Sequence, residues 1–246
     1  MSANRPFALT IAGLDPSGGA GILADIKTFE QHKVTGFAIS TANTIQTENQ
    51  FYEIEWTNLN FVIRSIETLF SNYKIAVVKI GIVASLCDLN QIISTIKLLS
   101  PSTKIVWDPV LKSTTKFEFM TIEDHSNLNK ILAEIDLITP NYHEAKILFP
   151  DFSSKENSFF TNILLKGGHN KKALGTDTLF LEDEVLELLP SNQKCFEKHG
   201  SGCVLSSAIA SNLALNQTMR EACKNAKIYI ENYLSSTSTL IGYHYV

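Results

Sequence analysis

His199-Gly200-Ser201-Gly202-Cys203 puts two glycines and a thiol directly before the apolar run Val204-Leu205-Ser206-Ser207-Ala208-Ile209. Glycines there let the backbone turn tightly, and the free N–H groups of a first helical turn can point at phosphate oxygens. Cys203 would stand among those donors, where the positive end of a helix is expected to lower the thiol below its free pKa of roughly 8.5. The stretch therefore predicts an anion site with a reactive group in it. The plainer alternative is a glycine-bearing helix cap beside a buried cysteine. His199 is expected to support the loop by a hydrogen bond, not to act as a base.

Further polar clusters carry their own chemistry. Gly13-Leu14-Asp15-Pro16-Ser17-Gly18-Gly19-Ala20-Gly21 would let a ligand lie against the backbone. It is neither a Walker A loop, since Gly18-Gly19-Ala20 lacks the lysine, nor a Rossmann fingerprint, since Gly-x-Gly-x-x-Gly is missing. Asp108-Pro109 could set a carboxylate near a metal-bound triphosphate, because Mg²⁺ takes one or two carboxylates plus phosphate oxygens and water. Lys166-Gly167-Gly168 offers an ammonium where phosphates would lie. In Asn141-Tyr142-His143-Glu144, Asn141 is placed to cap a helix with Glu144 at its third position. Each has a plain structural use as well: a strand-terminating aspartate, a solvated lysine, a capping box.

These clusters need elements to position them. β-rich runs fall at 7–12, 37–41, 75–80, 105–108, 137–139, 163–166 and 178–181, most of them bounded by Gly, Pro, Asn or Asp. A helix is expected from about Ile22. Helical spacing recurs in Leu59, Val62, Ile66, Leu69 and Phe70, in Ile92, Ile93, Ile96 and Leu99, and in Leu205, Ala208, Ile209 and Leu213. The alternation predicts a largely parallel sheet with helices on both faces and ligands beyond the carboxyl ends of the strands. The polar clusters follow the first six runs in that manner, with Asn43 to Gln46 expected just after the second.

With 246 residues, 44% hydrophobic and 19% charged, and no linker or repeat, the chain 1–246 reads as a single α/β domain. A net charge of −4 argues against nucleic-acid binding through a basic stripe and points to small ligands. Cys87, Cys195, Cys203 and Cys223 lack Cys-x-x-Cys spacing, and the opening residues lack a long apolar segment, so a reduced cytoplasm is expected. No apolar run approaches the roughly 18 residues of a membrane span, so no membrane partner is expected.

Taken in order, the motifs carry a resemblance. Leu9-Thr10-Ile11-Ala12-Gly13-x-Asp15-Pro16-Ser17-Gly18-Gly19-Ala20-Gly21, Thr41-Ala42-Asn43-Thr44-x-Gln46, Lys79-Ile80-Gly81, Asp108-Pro109-Val110, Thr139-Pro140-Asn141-x-x-Glu144-Ala145, Lys166-Gly167-Gly168-His169 and His199-Gly200-Ser201-Gly202-Cys203 resemble the hydroxymethylpyrimidine and phosphomethylpyrimidine kinases of thiamine biosynthesis. These belong to the ribokinase superfamily, and the likeness runs from Leu9 to about Tyr233. It implies a ribokinase-like three-layer α/β/α sandwich, ATP and Mg²⁺, and a homodimer. It also implies that Gly13, Ala20, Thr44, Gln46, Ile82 and Val110 hold the pyrimidine, with the Gln46 amide reading its edge. Gly200, Ser201, Gly202 and Cys203 correspond to the anion hole, and Cys203 to the presumed base. Asp108, Asn141, Glu144 and Lys166 match positions around Mg-ATP, with Asp108 and Glu144 toward the metal, directly or through water.

Pyridoxal or pyridoxine kinase is a related alternative, and a non-catalytic ligand-binding protein on the same fold is another. The chain departs from the family pattern in four places. Leu111–Lys116 lacks the usual Ser-Gly of a flap, 151–158 is too short for a helix-strand unit, Ser201 replaces the usual Thr, and the end after Tyr233 is short.

Overall fold

In the computed structural model, residues 5–112, 117–122, 124–150, 160–168 and 174–244 are described. Most of the flap segment, the stretch 151–158 and His169 lie outside them.

The strands are β1 (Phe7–Leu14), β2 (Thr35–Gln46), β3 (Phe51–Trp56), β4 (Ile75–Ile80), β5 (Lys104–Trp107), β6 (Leu137–Ile138), β7 (Asn162–Leu165), β8 (Asp177–Phe180) and β9 (Val185–Leu188). They form one sheet in the order β3-β2-β1-β4-β5-β6-β7-β8-β9. From β2 to β7 every pairing is parallel, while β3, β8 and β9 pair antiparallel at the two edges. The helices are α1 (Gly21–Gln31), α2 (Leu59–Asn72), α3 (Leu86–Leu99), α4 (His125–Leu132), α5 (Tyr142–Leu148), α6 (Ser201–Ala214) and α7 (Met219–Ser235).

The two-residue period of the strands makes the layers. In β1, β4, β5, β6, β7 and β8, neighbouring residues enter opposite cores. Leu9, Val78, Ile105, Ile138, Ile163 and Phe180 pack with Val62 and Ile66 of α2, Leu89 and Ile93 of α3 and Leu128 of α4. Ala8, Val77, Val106, Leu137, Leu164 and Leu179 pack with Ala24 and Phe29 of α1, Leu205 and Ile209 of α6 and Tyr229 of α7. Helices thus cover both faces, as expected, and no helix among the described residues is long and apolar enough to cross a membrane.

Two sequence expectations are corrected and two strands are added. The run at 178–181 is antiparallel β8, one residue earlier than expected. Asn43 to Gln46 do not follow a strand: they belong to β2, which extends to Gln46 because β3 pairs with that end, Ala42 opposite Trp56 and Gln46 opposite Phe51. Edge strands β3 and β9 went unread, since their side chains are mostly exposed or half-buried and give no buried apolar run.

β1 has β2 on one side and β4 on the other, so the sheet order reverses there. Such a switch point opens a crevice beyond the carboxyl ends of the strands. The chain exits of β1 and β4 border the cavity described next.

Candidate active site

A cavity of about 280 Å³ lies over that crevice. Its wall includes Gly13 and Ala20 from the β1–α1 connection, Thr44 and Gln46 from the end of β2, Ile82 after β4 and Val110 after β5. Asp108, Asn141, Glu144 and Lys166 line it from the exits of β5, β6 and β7, and Gly200, Ser201, Gly202 and Cys203 from the start of α6. The residues selected from sequence are therefore brought to one place. Asp15, Gly81, Phe51, Lys112, Phe119 and Lys198 also line it without having been assigned a role.

The Gln46 amide has a defined orientation. The Thr44 hydroxyl donates to the Leu14 carbonyl at 2.9 Å, so its oxygen can only accept from Gln46, whose Nε2 lies 2.9 Å away. That bond turns the Gln46 amide oxygen away from Thr44.

Asp108 is wholly buried at the foot of the cavity. Its Oδ1 accepts from Lys166 Nζ at 2.8 Å and from the Thr139 hydroxyl at 3.0 Å; its Oδ2 accepts from the Ser206 hydroxyl at 3.4 Å. Burial alone would raise this carboxyl, but the Lys166 and Lys79 ammonium groups and these hydrogen bonds hold it below the ordinary range. Burial would lower Lys166, yet Asp108 and Glu144 keep it raised. Glu144 stands 4.0 Å from Lys166 and closes a capping box with Asn141: Asn141 N donates to Glu144, and the Asn141 side chain accepts from Glu144 N. Burial pushes Glu144 up to about 7, with Lys166 opposing and Asp108 reinforcing the rise. Lys166 is held from behind: the next residue's N–H, on Gly167, donates to Asp177 at 2.7 Å, and Asp177 pairs with Lys227 of α7 at 2.8 Å.

α6 starts at Ser201 with Gly200 as its N-cap in the left-handed region, φ 71°. Cys203 is the third residue of the helix. The expected lowering of its thiol is overturned: burial pushes Cys203 up to about 11, and the Asp25 and Asp108 carboxylates add to the rise. Lys79 and the Gly21 N–H favour the thiolate but are outweighed. Burial of the thiol, which the local sequence does not reveal, decides the sign.

Gly200 is required twice. A Cβ there would meet a positive φ and stand 2.0 Å from the Gly19 carbonyl oxygen. Gly200→Ala should lose at least about 1–2 kcal/mol from backbone strain alone. It should also push the first turn of α6 off the β1–α1 loop. Thermal unfolding together with turnover would check this; an alanine variant with wild-type Tm would show that the turn is free to relax.

Beneath the cavity, Lys79 of β4 and Asp25 of α1 form an ion pair with no exposed side-chain surface, at 2.9 Å. Asp25 also accepts from Thr10 at 2.5 Å and from Ser207, one turn beyond Cys203, at 2.6 Å. Burial would lower Lys79, but Asp25 keeps it strongly raised. A lysine in the apolar strand Ile75–Ile80 was the available signal for such a pair.

Comparison with known proteins shows the family and the fold. The family model described as phosphomethylpyrimidine kinase matches residues 15–245. The hydroxymethylpyrimidine/phosphomethylpyrimidine kinase of Aquifex aeolicus is 32% identical over 95% of this chain and 96% of its own. The crystal structure of phosphomethylpyrimidine kinase from Clostridium difficile 630 superposes with a TM-score of 0.75 at 31% identity, covering 92% of this chain and 98% of that one. A Bacillus subtilis pyridoxal kinase in complex with ADP superposes with a TM-score of 0.78 at 25% identity, covering 95% and 93%. The fold is that of the ribokinase-like kinases, and the chain belongs to the phosphomethylpyrimidine kinase family.

Proposed function

We propose that this protein transfers the γ-phosphoryl group of ATP to the hydroxymethyl oxygen of hydroxymethylpyrimidine, and to the phosphate oxygen of its monophosphate. The observation that carries the reading is the convergence, in one cavity, of an acceptor wall ending in Gln46 with a phosphate-facing set of Asp108, Lys166 and the first turn of α6. The ADP complex of the related pyridoxal kinase supports ATP as the donor. A homodimer in the cytoplasm belongs to the same reading.

The acceptor lies along Gly13, Ala20, Ile82 and Val110, and the Gln46 amide oxygen accepts from its exocyclic amino group. Catalysis is mostly positioning and charge stabilisation. The N–H groups of the first turn of α6 and the Lys166 ammonium meet the negative charge on the transferred group. Its bond to the β,γ-bridging oxygen breaks, a bond to the acceptor oxygen forms, and ADP leaves. For the alcohol, Cys203 Sγ in its thiolate form takes the hydroxyl proton. The monophosphate acceptor is already ionised and gives up no proton.

The donor set fits a magnesium ion carried by the nucleotide. Asp108 and Glu144 offer hard oxygens, and among the described residues Asp108 Oδ2 is engaged by one long hydrogen bond. That matches an ion taking one or two carboxylates plus phosphate and water. Asp108 and Glu144 would hold it, and it would neutralise phosphate charge.

The test is ADP release from Mg-ATP with hydroxymethylpyrimidine, its monophosphate, pyridoxal or no acceptor. Turnover dependent on either pyrimidine is expected. Turnover with pyridoxal alone would move the assignment to a pyridoxal kinase, and none with any acceptor would leave a ligand-binding protein.

A further inference from the structure

Two loops from opposite ends of the chain meet in the cavity wall. One is the turn from Asp15 to Ala20; the other is Lys198 to Gly200, leading into α6. Asp15 is 1% exposed, and its carboxylate accepts from Ser17 N at 2.9 Å, Ser17 Oγ at 2.7 Å, Ala20 N at 2.9 Å and His199 Nε2 at 2.8 Å. The first three bonds hold Asp15's own turn, and the fourth reaches across to the other loop. Burial alone would raise Asp15, but the His199 and Ser17 bonds hold it below the ordinary carboxylate range. An ionised carboxylate only accepts, so Nε2 carries the proton.

His199 is also braced from behind. Its backbone N–H donates to the Leu240 carbonyl at 2.9 Å, and Lys198 Nζ donates to Thr237 O at 2.5 Å. That C-terminal segment is pinned to the end of α7 by Gly242 N to the Tyr233 hydroxyl at 3.3 Å and Tyr243 N to Ser236 Oγ at 2.9 Å. The Ile241 side chain and the His199 ring both close on Gly19, at 2.8 and 2.9 Å from where a Cβ would stand.

The Asp15 turn carries Ala20 of the acceptor wall, and the other loop leads into the phosphate-facing first turn of α6. Their separation fixes how far the acceptor oxygen lies from the transferred phosphorus. We propose that His199 is a positioning residue for phosphoryl transfer: its Nε2–H bond to Asp15, backed by residues 237–244, sets the distance between the acceptor wall and the anion-binding turn. The inference rests on the kinase reading above. A displacement of about 1 Å in such an arrangement can cost roughly 100-fold in rate, whereas Asp108, Lys166 and Asn141, which the kinase reading assigns to the nucleotide, line the cavity from other strand exits.

The experiment compares steady-state kinetics and Tm of the wild type, His199→Ala and His199→Gln. Glutamine's amide nitrogen can stand near the position of Nε2 and keep the donor. His199→Ala should lower kcat by on the order of 10- to 100-fold with KM for ATP nearly unchanged, and His199→Gln should recover most of the loss. If His199→Ala unfolds, Gly19→Ala serves instead, since its methyl wedges against the His199 ring and Ile241, and it should show the same kcat loss. An unchanged kcat in a folded His199→Ala or Gly19→Ala variant overturns the inference. So does a loss carried wholly by KM for ATP, or a glutamine variant as slow as the alanine one. A wild-type protein without acceptor-dependent ADP release overturns the kinase reading and this inference with it; an active wild type with an unimpaired variant overturns this inference alone.

Discussion

Cys203→Ala should fold normally and phosphorylate the hydroxymethyl acceptor some 10²- to 10⁴-fold more slowly, the range a positioned base commonly contributes. Transfer to the monophosphate should fall much less, because that acceptor has no proton to lose. The thiol is half-buried, and its replacement leaves α6 intact: Gly200 caps the helix, and Ser206 and Ser207 make their bonds without it. The pH dependence has a defined sign. With the thiol pushed up to about 11, the thiolate is scarce at neutral pH and grows as pH rises. Alcohol phosphorylation by the wild type should therefore climb through the mildly alkaline range, while Cys203→Ala and the monophosphate reaction should be flat over it. Paired kcat profiles for both acceptors measure this. Equal losses on both acceptors would assign Cys203 to binding or packing, and undiminished alcohol turnover would remove it from the proton transfer.

The second large effect is on stability. Lys79→Met should cost about 3–5 kcal/mol, because it strands the Asp25 carboxylate where water does not reach. Thr10 and Ser207 would still donate to Asp25, but two hydroxyls do not replace an ammonium. Lys79→Met combined with Asp25→Asn removes both charges and should recover most of the loss. Denaturant unfolding of the single and double variants tests it. A single-variant loss below about 1 kcal/mol, the range of exposed pairs, would mean that the pair is solvated. The folded double variant should remain a slow kinase: Lys79 helps to keep Asp108 ionised and is the largest charge favouring the Cys203 thiolate.

Much of this site is legible in the sequence because its parts are local. Asn141 and Glu144, three apart after a proline, form the capping box that their spacing predicts. Gly200 ahead of an apolar helix takes the left-handed cap. Strands ending just before Asp108 and Lys166 deliver those side chains to one edge, since parallel strands share a carboxyl end. Other features were hidden for equally physical reasons. The alternating Phe51–Trp56 strand buries little, so it gives a weak apolar signal. Asp15 looks like an ordinary turn aspartate before Pro16 and Ser17, and nothing near it names its partner, 184 residues away.

By itself, then, the sequence determined the βα alternation, the helix caps, the glycine turns and the chemical types gathered at the strand exits, all of which rest on interactions within a few residues. Tertiary structure alone decided which charges face one another. Asp25, Lys79, Asp108 and Cys203 come from α1, β4, the exit of β5 and α6, and burial of the thiol among them, with the two carboxylates adding to it and Lys79 opposing, reversed the ionisation that the helix terminus alone would have dictated. Burial and the fields of these charges act through space over a few ångströms, and separation along the chain carries no record of them.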